Sequence, residues 1–148
     1  MVNSPDYLKV YAITDRKMLS EEKFLEGIES ALMGGVRCIQ LREKDLSAAE
    51  ILNLAREVRK LTTKYQARLF INDRVDIALM VDADGVHLTE SSVPIAEVKS
   101  RFPRLSAGVS THSLTSAKEA EVGGADFITF SPIFDTPSKE QYGSPQGL

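Results

Sequence analysis

Gly34-Gly35-Val36-Arg37-Cys38-Ile39-Gln40-Leu41 and Gly123-Gly124-Ala125-Asp126-Phe127-Ile128-Thr129-Phe130 share one form, paired glycines followed at once by an apolar run. Glycine enters the left-handed backbone region that ends a helix without the steric penalty of a Cβ, so each pair reads as a helix stop that feeds directly into a strand. A helix-to-strand junction that recurs in this way belongs to a series of parallel βα units, and it favours a (β/α) barrel over a doubly wound sheet. Outward from these two segments, short β-branched or aromatic runs alternate with stretches of 3.6-residue period. Strands are predicted at Leu8 to Thr14, Val36 to Leu41, Leu69 to Asn72, Gly85 to Leu88, Ala107 to Ser110 and Phe127 to Ser131.

The helices between them have legible starts. Ser20 stands in a cap position with Glu21 and Glu22 behind it, and Phe24, Ile28 and Leu32 then recur on one face as far as Gly34-Gly35. Ser47-Ala-Ala-Glu50 has the spacing of a capping box, and Ile51, Leu54, Ala55, Val58 and Leu61 continue a single apolar stripe. Shorter helices are expected over Val75 to Met80, Ile95 to Arg101 and Leu114 to Val122. The fold class is therefore α/β, read as a (β/α) barrel, as one domain over residues 1–148. About six βα units fill these 148 residues, whereas eight units typically take about 250. The last two units are expected to be absent from this chain or supplied by another, which leaves a homo-oligomer open.

Composition narrows the function. An apolar share of 43% is that of a folded domain rather than a disordered one, and no apolar run reaches the roughly 20 residues of a membrane-spanning helix. The segment from Met1 to Lys9 lacks the order of charges and apolar residues found in a secretory signal, and the single cysteine, Cys38, can form no internal disulfide, so a cytoplasmic setting is expected. A formal net charge of −3 argues against general nucleic-acid binding, which depends on basic surface. An anion site must then be local.

In parallel α/β architectures such sites form beyond the carboxyl ends of the strands, and here those ends are polar. Gln40, Arg42 and Lys44 alternate along the exit from the second strand, which would place an amide, a guanidinium and an ammonium on one side of an extended chain. The alternative is a solvated strand end whose cations pair with Glu43 and Asp45. Asn72-Asp73 offers an amide and a hard oxygen ligand suited to Mg²⁺, or else a cap for the helix that follows. His112, near Ser110 and Ser113, is the candidate for proton transfer; His87, between Val86 and Leu88, reads as structural or pocket-lining, and Cys38 as a buried inert thiol. Thr136-Pro-Ser-Lys139 presents two hydroxyls and a cation that could hold a phosphate or form an exposed turn.

Taken together, YAITD (Tyr11 to Asp15), QLREK (Gln40 to Lys44), INDRVDIA (Ile71 to Ala78), ADGVHL (Ala83 to Leu88), GVSTHS (Gly108 to Ser113) and FSPIFDTPSK (Phe130 to Lys139) resemble the thiamine-phosphate synthase and TenI-like thiazole tautomerase superfamily. The synthase resemblance implies a TIM barrel that joins a hydroxymethylpyrimidine diphosphate to a thiazole phosphate and releases diphosphate. It places Gln40 near the pyrimidine; Arg42, Lys44, Asn72, Ser110 and Lys139 around diphosphate; Asp73 on Mg²⁺; and Thr136 and Ser138 toward the thiazole phosphate. The chain departs from that pattern after GVHL, where Ser92 stands at the position of a second carboxylate for Mg²⁺ and Glu90 occupies a different place. This segment and His112-Ser113 resemble the tautomerase branch, in which the histidine is a proton-transfer candidate. Thiamine-phosphate synthase is the expected activity; a thiazole tautomerase and a catalytically silent phosphate-ligand module are the alternatives.

Overall fold

The computed structural model describes residues 6–135, 144, 145 and 147. Strands and helices alternate as β1 (Tyr11–Ile13), α1 (Glu21–Met33), β2 (Cys38–Leu41), α2 (Ala48–Lys64), β3 (Arg68–Asn72), α3 (Val75–Met80), β4 (Gly85–Leu88), α4 (Ile95–Arg101), β5 (Ser106–Thr111), α5 (Leu114–Val122) and β6 (Phe127–Phe130). Short 3-10 turns lie at Asp6–Leu8 and Arg16–Met18. The sheet order is the chain order, β1-β2-β3-β4-β5-β6. The division into two compact units, Met1–Val86 and His87–Leu148, falls within β4.

Both glycine pairs do what their sequence implies. Gly35, at φ 101°, donates to Leu32 O, and Val36 donates back to Ala31 O; Gly124, at φ 88°, and Ala125 repeat this with Glu121 O and Ala120 O. These are Schellman closures, in which the first two residues past the helix satisfy its last carbonyls. α2 and α3 end in the same turn, although their left-handed residues are Gln66 (φ 53°) and Asp82 (φ 50°). Ala67 donates to Thr62 O and Ala83 to Ala78 O, so four of the five helices hand the chain to the next strand by one device.

In the first unit β1, β2 and β3 pair in parallel, with Tyr11 opposite Cys38 and Cys38 opposite Arg68. Ile39, Leu41, Leu69 and Ile71 are almost wholly buried, as are Ile51, Ala55 and Val58 of α2, which packs on this sheet, and Leu32 of α1, which packs on α2. Burial of each larger aliphatic side chain contributes about 1.5–3 kcal/mol. The strand expected at Leu8 to Thr14 is shorter, Tyr11–Ile13, and its register with β2 starts at Tyr11 opposite Cys38, while Val36 N–H closes α1 on Ala31 O and β2 starts at Cys38 rather than Val36. In α2 the stripe is rotated slightly: Leu54 and Leu61 are half-buried, while Thr62 is fully buried with its hydroxyl donated to Arg59 O. Ser20 occupies the N-cap of α1 without a side-chain cap bond, whereas Ser47 and Glu50 form the full capping box.

In the second unit β5 and β6 pair in parallel, Gly108 opposite Phe127 through Thr111 opposite Phe130. α5 packs on both strands and α4 on β5. The helices at Val75 to Met80, Ile95 to Arg101 and Leu114 to Val122 and the strand at Gly85 to Leu88 have their expected limits. β5 is one residue longer at each end than predicted, and β6 stops at Phe130, just before the cis Ser131-Pro132 peptide.

Candidate functional site

The first group of site residues lies where β1, β2 and β3 end. The Glu43 side chain, 3% exposed, accepts the Thr14 hydroxyl at 2.6 Å and the backbone N–H of Arg16 at 3.2 Å. The Arg16 guanidinium in turn holds Asp45 at 2.6 Å, and Lys17 reaches the same carboxylate at 3.6 Å. Glu43 and Asp45 are thus committed to Arg16 and Lys17. The alternative in which they neutralise Arg42 and Lys44 is not what the chain does: both cations are exposed, and neither has an ion pair among the described residues. Like charges two residues apart, with nearby carboxylates already neutralised, leave a local positive field suited to a multiply charged anion.

Gln40 is separated from these cations in exposure. The ladder ends at Leu41 and the chain turns at Lys44-Asp45, so strict alternation does not carry through; Gln40 is buried and donates from Nε2 to the Tyr11 phenol at 3.0 Å. Burial raises the Tyr11 pKa, which keeps the phenol protonated, and its ring meets Phe70 edge-on at 5.8 Å. At the end of β3, Asn72 is half-buried and Asp73 is exposed in the left-handed region, at φ 61°. Neither caps α3: Arg74 holds the N-cap position and forks onto Asp76 at 2.9 and 2.6 Å. The Asp73 carboxylate has no hydrogen bond or ion pair among the described residues, in a backbone conformation that is costly for a residue with a Cβ.

The second group lies on β4, β5 and β6. Buried His87 brings Nε2 to 3.0 Å from Ser110 Oγ, and Thr129 donates to the same Oγ at 3.3 Å. His87, expected to be structural or pocket-lining, is therefore joined directly to a predicted diphosphate ligand. Gly108 makes room for this layer, since a Cβ there would run into the Phe127 ring and stand 2.9 Å from His87 Nδ1. His112 Nδ1 lies 2.7 Å from Ser131 O. A carbonyl can only accept, so Nδ1 carries a proton and donates it to Ser131 O. Ser113 is occupied in capping α5 with Ser116. Ser92 Oγ accepts the Thr89 N–H at 2.8 Å, and Glu90 accepts the His112 N–H, 22 residues on, at 3.1 Å, so both possible stand-ins for a second Mg²⁺ carboxylate already accept from backbone.

Thr136, Ser138 and Lys139 lie outside the described residues. Cys38 is fully buried, and burial, with Asp84 adding to it, pushes its thiol up to about 12, as an inert core cysteine requires. A cavity of about 630 Å³ in the second unit is lined by Leu88, Val93, Ile95, Val109 and Ala120, with Glu90 and Ser92 from just past the end of β4 at its wall; neither Ser110 nor His112 is among its lining residues. Sequence reasoning missed Thr14, Arg16 and Glu43 as parts of the site's framework, although Thr14 and Glu43 stand inside the YAITD and QLREK motifs.

Parallel βα units with polar strand ends define a TIM-like α/β protein. A solved structure, thiamine phosphate pyrophosphorylase from Pyrococcus furiosus, superposes with a TM-score of 0.81 at 42% identity, over 88% of this chain and 63% of that one. The family model described as thiamine monophosphate synthase matches residues 10–148, and the chain belongs to that family. An Aquifex aeolicus protein named "Putative thiamine-phosphate synthase 2" is 57% identical over 140 residues, covering 95% of this chain and 74% of its own. The thiamine-phosphate synthase of Clostridium novyi is 42% identical over 141 residues, covering 95% and 69%. Across eight such curated relatives, this chain spans from 62% to 74% of their length.

Proposed function

We propose that this chain carries the diphosphate-handling part of a thiamine-phosphate synthase, which couples a hydroxymethylpyrimidine diphosphate to a thiazole phosphate and releases diphosphate. The observation that carries the reading is the state of QLREK: Arg42 and Lys44 are exposed with no ion pair among the described residues, while Glu43 and Asp45 are taken by Arg16 and Lys17. In this reading Arg42 forks onto diphosphate oxygens, Lys44 adds a point charge and Asn72 an amide, so that charge building on the leaving group is stabilised as its bond to the pyrimidine methylene breaks; the family resemblance adds Ser110 and Lys139 to the diphosphate contacts. Gln40 orients the pyrimidine, and Thr136 and Ser138 hold the thiazole phosphate. No group of three or more His, Cys, Asp or Glu able to hold a metal forms among the described residues. Asp73 alone still fits Mg²⁺, because that ion accepts one or two protein carboxylates with substrate phosphates and water filling its remaining positions. When bound there, it would neutralise the departing diphosphate.

The test is to supply both substrates with Mg²⁺ and follow thiamine phosphate and released diphosphate together. Formation of both in equal amounts, reduced at least tenfold by Lys44→Ala, is the expected result; no coupling by the folded chain overturns the assignment. One observation favours a second reading, a thiazole tautomerase: His112, the proton-transfer candidate, is held in orientation by Ser131 O at Nδ1. Isomerisation of a carboxythiazole phosphate without coupling selects that reading.

A further inference from the structure

Arg42 and Lys44, which have no ion pair among the described residues, stand on a backbone that is itself held from outside. The Arg42 N–H lies one residue past the last residue of β2 and donates to Thr14 Oγ1 at 2.9 Å. That oxygen accepts from Arg42, so its own proton is free for Glu43 Oε1, which receives it at 2.6 Å. Glu43 also takes the Arg16 N–H with both carboxylate oxygens at 3.2 Å, and Arg16 continues to Asp45. The relay Arg42 N–H, Thr14 O–H, Glu43 carboxylate begins on the residue that would fork onto the anion and ends on its buried neighbour. Thr14 and Glu43 are 9% and 6% exposed as whole residues, so water cannot readily replace either link.

We infer that Thr14 and Glu43 are positioning residues for diphosphate binding: they fix the backbone at Arg42 and hold the acidic side chains of the loop away from Arg42 and Lys44. Neither touches the anion. A preformed loop binds without ordering its backbone at the moment of contact, and a carboxylate neutralised by Arg16 does not compete with phosphate oxygens for the cations. This inference rests on the reading of Arg42 and Lys44 as diphosphate contacts, and the experiment separates the two.

Inorganic diphosphate is titrated calorimetrically into the 148-residue chain and into Arg42→Ala, Thr14→Val and Thr14→Ser. Valine keeps the shape of threonine but cannot accept from Arg42 or donate to Glu43; serine keeps the hydroxyl. A tenfold or greater weakening in Thr14→Val, with Thr14→Ser within threefold of the unaltered chain, is expected. Stoichiometry counts folded sites and Kd reads each site, so a purely structural role for Thr14 would lower the number of sites and leave Kd alone. Unchanged Kd in Thr14→Val alongside weakened binding in Arg42→Ala overturns the positioning role and spares the anion site. Unchanged Kd in Arg42→Ala overturns the anion site and this inference with it. Should Thr14→Val fail to fold, Glu43→Gln takes its place, since it removes the charge and one of the two acceptors for Arg16 N–H; its Kd must also rise at least threefold, and an unchanged value overturns the inference.

Discussion

Asp84 Oδ2 accepts the backbone N–H of Leu69 at 2.9 Å, tying the start of β3 to the residue just before β4, and Arg59 of α2 grips the same oxygen at 2.6 Å. The arrangement recurs in the second unit, where Asp126 accepts from Ala107 at 2.7 Å and from Lys99 of α4 at 2.9 Å. In both places the aspartate follows a Schellman turn and an alanine. One side chain there fixes the spacing between a strand and the helix before it.

Asp84→Ala should therefore destabilise the chain by about 1–3 kcal/mol, because it leaves the part-buried Leu69 N–H without its acceptor and removes the partner of Arg59. Urea denaturation reads this as a lower midpoint at unchanged slope. A midpoint equal to that of the unaltered chain would show that water replaces the carboxylate.

Gln66→Gly should act in the opposite direction. Gln66 is exposed at φ 53°, in the position that glycine fills in α1 and α5, and removing its Cβ relieves left-handed strain that outweighs the added freedom of the unfolded chain. A gain of about 0.5–1 kcal/mol in the same denaturation experiment is expected. Gln66→Ala, which keeps the Cβ, should give no such gain.

Cys38 should resist alkylation by iodoacetamide at neutral pH until the chain is unfolded, since only a thiolate reacts and burial holds the folded thiol near 12. The linkage has a definite sign. Below the ordinary thiol value of 9.0 the group is neutral in both states and adds no pH dependence. Between 9.0 and about 12 the unfolded chain gives up the proton and the folded chain keeps it, so stability falls as pH rises through that window. Cys38→Ser should show a shallower loss of stability over the same range.

Ser92→Asp should keep the fold, because aspartate can accept the Thr89 N–H as serine does. With a carboxylate added, the Mg²⁺ concentration that half-saturates diphosphate-dependent binding or turnover should fall severalfold. An unchanged Mg²⁺ requirement in a folded variant would remove residue 92 from the metal's surroundings.

Most of the fold was readable because its signals are local. The Ser47 to Glu50 capping box, the paired glycines and the short limits of α3, α4 and α5 each depend on residues within one turn of one another. The shared turn after α2 and α3 was hidden because Gln66 and Asp82, not glycine, take the left-handed position. At the site, Gln40, Arg42, Lys44, Asn72 and Asp73 could be picked out as polar groups at strand ends. Their partners could not: in QLREK either cation could pair with either acid by proximity, and the outcome is set by Arg16, 27 residues away from Glu43 in sequence. His87 was read by its apolar neighbours Val86 and Leu88, which lie on the opposite face of β4, and its link to Ser110 spans 23 residues.

On the proposed diphosphate reading, the commitment of Glu43 and Asp45 to Arg16 and Lys17 would also govern how fast the anion is captured. A chain with net charge −3 repels a diphosphate at long range, while Arg42 and Lys44 attract it once it comes within about a Debye length, roughly 8 Å at physiological ionic strength. Added salt screens both, but the short-range attraction guides the final approach, so the association rate should fall with ionic strength despite the unfavourable overall charge. On that reading, two cations with no ion pair among the described residues would let a chain of net negative charge recruit a still more acidic ligand.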